Sequence, residues 1–182
     1  MFYIFLADGF EETEALAPLD VLRRAGIDAK TVGVGGKIIT GSHNIPIVCD
    51  ITDSEFSLGG NLEGIFLPGG MPGTLNLEKS EIVNKAIDYC IENDLLVSAI
   101  CAAPSILGHK GLLKNKNAIC FPGFESELKG AVLSDNFVCE DGNILTAKGM
   151  GSAVEFGLRI AEYLLGSEKA NKIRSTLQIY DE

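Results

Sequence analysis

Residues 2–7 form an unbroken apolar run, Phe-Tyr-Ile-Phe-Leu-Ala, which reads as a buried strand. Behind it, Ala15, Leu16, Leu19, Leu22 and Ala25 recur at helical spacing. Glu11, Glu12 and Glu14 lead that stretch, Arg23 and Arg24 trail it, and Gly26 follows as a stop. Pro18 falls inside the pattern and is expected to kink the helix or to begin its regular part. Residues 29–34 read as a second strand and lead into a turn at Gly33, Gly35 and Gly36. Residues 37–40 and 45–49 suit a small hairpin near the sheet edge. Residues 64–67 are a short buried strand, and the loop Pro68-Gly69-Gly70-Met71-Pro72-Gly73 after them excludes regular structure. Helical periodicity returns over 81–93, with Ile82, Ala86, Tyr89 and Cys90 on one side. Residues 95–100 are apolar except for Ser98 and read as a central strand covered on both faces. Cys101 follows directly, then a helical stretch over 102–109. Strands over 137–139 and 144–146 flank the turn Glu140-Asp141-Gly142-Asn143. A helix over 151–165 comes last, with Val154, Leu158, Ala161 and Leu165 expected inward.

Strand and helix in alternation predict an α/β sandwich around a mostly parallel sheet, as one domain over residues 1–182. Ligands of such sheets sit at the carboxyl ends of the strands. Three segments deliver chemistry there: the acidic loop after the first strand, the Pro68 loop and Cys101. The 15 basic and 25 acidic residues give a net charge of −10, which disfavours nucleic acid as the main partner and docking on anionic lipid. No apolar run reaches the roughly 18 residues of a membrane span, and the first eight residues lack the basic start of a signal peptide. The five cysteines (Cys49, Cys90, Cys101, Cys120 and Cys139) are odd in number and widely spaced. They read as reduced cytosolic thiols, so the chain is expected to be cytoplasmic. With only two histidines, no metal site is expected.

Cys101 stands where the run Leu95-Leu96-Val97-Ser98-Ala99-Ile100 gives way to Ala102-Ala103-Pro104. A nucleophile on a sharp strand-to-helix turn stands clear of the sheet. A helix N-terminus favours thiolate over thiol there, and Pro104 suits the first helical turn. Gly69 and Gly70 can aim backbone N–H groups at one point and, with the Ala102 N–H, make an oxyanion hole. One of the acids Glu11, Glu12 and Glu14 can turn inward; a carboxyl shielded beside a thiolate has a raised pKa and can serve as general acid and base.

Together, Asp8-Gly9-Phe10-Glu11-Glu12-Thr13-Glu14, Asp20-Val21-Leu22-Arg23-Arg24-Ala25-Gly26, Leu67-Pro68-Gly69-Gly70, Ala99-Ile100-Cys101-Ala102-Ala103-Pro104 and Leu145-Thr146-Ala147-Lys148-Gly149 resemble the ThiJ/PfpI superfamily. The resemblance is to its branch of the Parkinson-disease-linked protein deglycase and bacterial YajL, and it covers nearly the whole chain. It implies a flavodoxin-like three-layer sandwich and a homodimer. It implies Cys101 as the reactive, oxidisable cysteine, Glu14 as its buried carboxyl partner, and Gly70 and Ala102 as N–H donors. Protease-like members carry a His directly after the nucleophile; Ala102 stands there, which argues against a peptidase. Human-type members carry a His where Phe121 precedes Pro122. His43 occupies a position where relatives often carry Arg. It is expected either at the pocket, from its own subunit or a partner's, or exposed on the hairpin. His109 lies eight residues past Cys101, about 12 Å along a helix axis, too far for a dyad, and reads as a surface residue.

The activity implied is cofactor-free handling of reactive dicarbonyls, free or as glycated adducts, through a Cys101 hemithioacetal with Glu14 moving protons. The alternative is a redox-sensing stress protein or chaperone that uses an oxidisable Cys101 without turnover.

Overall fold

The computed structural model describes residues 1–179. The chain runs through β1 (Phe2–Leu6), α1 (Glu12–Arg24), β2 (Ala29–Gly33), β3 (Ile38–Thr40), β4 (Pro46–Val48), β5 (Ile51–Thr52), β6 (Gly64–Leu67), α2 (Gly73–Lys79) and α3 (Glu81–Glu92). It continues through β7 (Leu96–Ile100), α4 (Pro104–His109), β8 (Asn117–Ala118), β9 (Val132–Leu133), β10 (Val138–Asp141), β11 (Ile144–Ala147), α5 (Ala153–Leu165) and α6 (Ser167–Thr176). Seven strands make the main sheet in the order β10-β11-β7-β6-β1-β2-β5, and all neighbours are parallel except β10 against β11. In register, Phe2 faces both Ala29 and Gly64, and Gly64 faces Leu96.

The alternation of side chains along β1 divides the interior. Phe2, Ile4 and Leu6 pack with Leu19 and Leu22 of α1 and with Phe156 and Ile160 of α5. Phe5 lies on the other face with Leu77 of α2, Val83 and Ile87 of α3, and Ile106 of α4. A sheet buried on both faces explains why β6 and β7 are buried throughout. An edge-to-face pair of Phe66 and Phe156, centroids 5.2 Å apart, ties sheet to helix.

Helix α1 runs from Glu12 through Pro18 to Arg24, so its regular part does not begin at the proline. Pro18 packs against α5, where a Cβ on Gly157 would come within 2.9 Å of the Pro18 Cα. The two helices approach closely because that position is glycine. The expected hairpin forms as β3–β4, a two-stranded sheet of its own, and β5 is the edge strand of the main sheet on that side. Ile39 of the hairpin is buried with the α1 side of the core. Val154 is 40% exposed, against its inward assignment. The buried residues of α5 are Ala153, Phe156, Gly157, Leu158, Ile160 and Ala161, so Leu158 and Ala161 face inward as expected. The helices α2 and α6 and the short strands β5, β8 and β9 were not foreseen; the strands have two residues each, too few to show a period.

Candidate active site

The carboxyl ends of β1, β6, β7 and β11 meet at one point of the sheet edge. Cys101, directly after β7, has φ +65°, a left-handed conformation that strains any residue with a side chain. Backbone hydrogen bonds hold it from both sides. Its N–H donates to the Ala147 carbonyl over 2.9 Å, and its carbonyl accepts the Phe121 N–H over 2.8 Å. The thiol is partly exposed, while Cys49, Cys90, Cys120 and Cys139 are buried.

Glu14 reaches the sulfur from the first turn of α1 and is 1% exposed. Glu11 sets its position by capping that helix: its carboxylate accepts the Glu14 N–H over 2.6 Å, and its own N–H donates to the Gly69 carbonyl over 2.9 Å. The Glu14 carboxyl accepts the Gly69 N–H at 3.1 Å and the Met150 N–H, and it hydrogen-bonds to Cys101. Burial is the main reason that its pKa is pushed up to about 7; the charge of Glu11 adds to this, and the hydrogen bonds oppose it.

Cys101 is pushed up to about 12, first by burial and then by the charge and hydrogen bond of Glu14. The N–H groups of Ala102 and Gly70 act in the opposite direction. The helix terminus therefore does not by itself keep the thiol ionised, as the sequence suggested. Two negative charges side by side in a shielded site repel, so the pair takes up a second proton below about pH 7 and keeps one above it. Moving that proton from sulfur to carboxylate creates thiolate beside carboxylic acid without any exchange with solvent. Ala102 and Gly70 aim their N–H groups at the place where that charge forms.

Glycine is required at both loop positions. A Cβ on Gly69 would lie 2.5 Å from both the Cys101 Cβ and a Glu14 oxygen. Gly70 has φ +90°, and a Cβ there would lie 2.4 Å from the Glu11 nitrogen. Beside the dyad opens a cavity of about 340 Å³ lined by Phe121, Phe137, Lys148 and Met150, among others. Gly149 connects the two, since a Cβ on it would be 3.3 Å from the Phe121 ring and 3.8 Å from a Glu14 oxygen.

Glu14, Gly69, Gly70, Cys101 and Ala102 thus come together, with Phe121 as a wall. His43 does not join them. Its ring nitrogen lies 2.9 Å from Glu12, its N–H donates to the same carboxylate, and its side chain is 70% exposed. Burial works to raise Glu12, but the hydrogen bonds from His43 and the backbone outweigh it and hold the carboxyl below its ordinary range. Glu11, Glu12 and His43 could bring three ligand atoms within 4.8 Å of one another. However, Glu11 is engaged in capping α1, and both Glu12 oxygens are engaged with His43 and Ser42. The roles of Glu11 as the cap, Met150 as a donor and Gly149 as the spacer were not legible from the sequence. The Thr146-Ala147-Lys148-Gly149 motif marked that neighbourhood without showing its use.

A model of the DJ-1/PfpI family matches residues 2–163. The chain belongs to this family. It is 33% identical to Protein dj-1beta of Drosophila melanogaster, covering 97% of this chain and 95% of that one. It is 30% identical to the glutathione-independent glyoxalase DJR-1.2 of Caenorhabditis elegans, covering 92% and 89%. Among solved structures, a mutant of a DJ-1 superfamily protein from Salmonella typhimurium superposes with a TM-score of 0.91 at 31% identity, covering 99% of this chain and 98% of that one.

Proposed function

We propose that the chain is a cofactor-independent, cysteine-dependent enzyme that converts reactive 2-oxoaldehydes to 2-hydroxy acids, methylglyoxal to lactate and glyoxal to glycolate. One observation carries the reading: Glu14, buried and able to hold a proton near neutrality, hydrogen-bonds the Cys101 thiol, and Gly149 beside that carboxyl lines a cavity. The similarity to a protein named a glyoxalase supports it.

In the reaction, sulfur forms a bond to the aldehyde carbon, and Glu14 gives its proton to the resulting alkoxide. The N–H groups of Gly70 and Ala102 stabilise that oxygen as charge develops on it. Glu14, now a carboxylate, removes the hydrogen from the hemithioacetal carbon to give an enediol. It passes that proton to the ketone oxygen, then takes the proton of the first hydroxyl and delivers it to the neighbouring carbon, which leaves a thioester. One carbon is oxidised and its neighbour reduced, so no outside oxidant is needed. Water then cleaves the thioester and releases the 2-hydroxy acid and the free thiol. Glycated adducts that release free dicarbonyl feed the same route. Cytoplasmic residence and a homodimer belong to the same reading. Ile38 and Val48, paired across the β3–β4 hairpin and both exposed, support a second copy covering that surface.

The test is lactate formed from methylglyoxal by the purified chain. Formation that disappears in both Cys101→Ala and Glu14→Gln, each still folded, supports the enzyme. Absence of turnover in the unaltered chain, with protection of client proteins that survives both substitutions, replaces it with the chaperone reading.

A further inference from the structure

Each N–H donor to the sulfur lies just ahead of a short helix. Gly70 precedes α2 by three residues, and Ala102 precedes α4 by two. The far ends of these two helices meet at one imidazole. His109, the last residue of α4, turns Nδ1 to Glu78 in the last turn of α2, and its Nε2 lies 2.8 Å from Glu127. Glu127 belongs to the turn Glu125–Glu127, downstream of Phe121, whose N–H holds the Cys101 carbonyl. The three segments that frame the thiol are therefore joined a second time, away from the site, by His109.

The junction is built into the packing. A Cβ on Gly108 would lie 2.1 Å from the Glu127 carbonyl oxygen, so the end of α4 lies directly on that turn. A ring nitrogen facing a carboxylate carries a proton, and both nitrogens of His109 do so, which makes the ring an imidazolium. The groups facing it are Glu78 from α2, Glu127 from the turn, and more distantly Lys129. The hydrogen bonds to Glu127 and Glu78 keep it charged above the ordinary histidine range, against burial and the Lys129 charge. Lys110, next along the chain, is occupied with Asp88 of α3 at 2.8 Å.

We propose that His109 is a positioning residue for the site: as an imidazolium shared by Glu78 and Glu127, it fixes α2 against α4 and so holds the Gly70 and Ala102 donors on the Cys101 sulfur. The inference rests on Cys101 being the nucleophile and not on a dicarbonyl being its substrate. Small displacements of positioned groups lower rates steeply even when they originate far from the chemistry. A site held this way works best while the imidazole keeps both protons.

The experiment follows iodoacetamide alkylation of Cys101, located by mass spectrometry, together with methylglyoxal turnover. It compares the unaltered chain, His109→Gln, Glu78→Gln, and Asp20→Asn as a control that breaks an exposed pair with Arg24. His109→Gln is expected to lower both rates on the order of tenfold at about pH 6.5, with KM little changed. The deficit should shrink as the pH rises through the ring's raised titration, where the unaltered ring itself loses a proton. Glu78→Gln should move the onset of the alkaline loss to lower pH, and Asp20→Asn should match the unaltered chain. Equal alkylation rates and pH profiles for His109→Gln and the unaltered chain would overturn the proposal, as would a deficit that only follows the unfolded fraction seen by circular dichroism. If the alkylation pattern appears while the unaltered chain makes no lactate, the dicarbonyl reading fails and the role of His109 stands.

Discussion

Gly69 donates its N–H to Glu14 across 3.1 Å, and the space where its side chain would stand is filled by that same carboxyl. The contact is both the bond that orients the acid and the gap that lets it reach the sulfur. Gly69→Ala should therefore act on the dyad before it acts on the fold. A Cβ 2.5 Å from the Cys101 Cβ and from a Glu14 oxygen forces one of them aside. The expected cost is about 1–3 kcal/mol of stability, with turnover lower by about a hundredfold. Urea denaturation and lactate assays measure the two; normal turnover in the variant would show that the dyad tolerates displacement.

Glu14→Gln separates charge from shape. In the folded chain the carboxyl is raised to about 7 from an ordinary value of 4.5. Between these values the native state binds more protons than the unfolded state, so stability falls as pH rises through the window. The contribution is fully present below about pH 4.5 and lost above about 7, about 3 kcal/mol in all. Glutamine keeps the volume and cannot ionise, so the variant should lose turnover while its stability varies less from pH 5 to 8. Denaturation midpoints at several pH values test the sign: a variant as steeply pH-dependent as the unaltered chain would place the titration elsewhere.

Strain at Cys101 gives a third test. With φ +65°, alanine at this position keeps the strain and glycine removes it. Both variants lack sulfur and should make no lactate, but Cys101→Gly should be more stable than Cys101→Ala by about 1 kcal/mol. Equal stabilities in urea would mean that the turn relaxes once the thiol is gone.

Much of this could be read from the chain because local chemistry and tertiary position agreed. The run at residues 95–100, apolar but for Ser98, read as a covered strand, and the small residues after it suited a turn at Cys101. Gly69 and Gly70 were legible as a tight loop at the same edge, but Gly69 gives its N–H to Glu14 and not to the oxyanion position expected of it. Where position depends on a distant segment, the pattern carried no signal. Pro18 looked like a kink or a helix start because its neighbour Gly157 lies 139 residues away. Glu11, Glu12 and Glu14 were alike in sequence. The fold separates them by what each meets: a helix end for Glu11, His43 for Glu12 and the sulfur for Glu14. The thiol's ionisation was misread because a helix terminus is visible locally, whereas burial and the charge of Glu14 arise only on folding.

Phe121 tests whether the cavity is used by substrate. Its ring is 48% exposed and lines the space beside Glu14, while its backbone N–H, which any residue supplies, holds the Cys101 carbonyl. Phe121→Ala therefore keeps the hydrogen bond and removes only the wall. A half-exposed ring away from the core contributes little to folding, so stability should change by no more than about 0.5 kcal/mol. If the substituent of the 2-oxoaldehyde lies against this ring, methylglyoxal should show a raised KM with kcat nearly intact, and glyoxal, which has no substituent, should be affected less. Binding energy removed equally from ground and transition states gives that split. A fall in kcat with unchanged KM would instead mean that the ring orders the Cys101 turn, and a variant indistinguishable from the unaltered chain for both substrates would place the substituent outside this cavity.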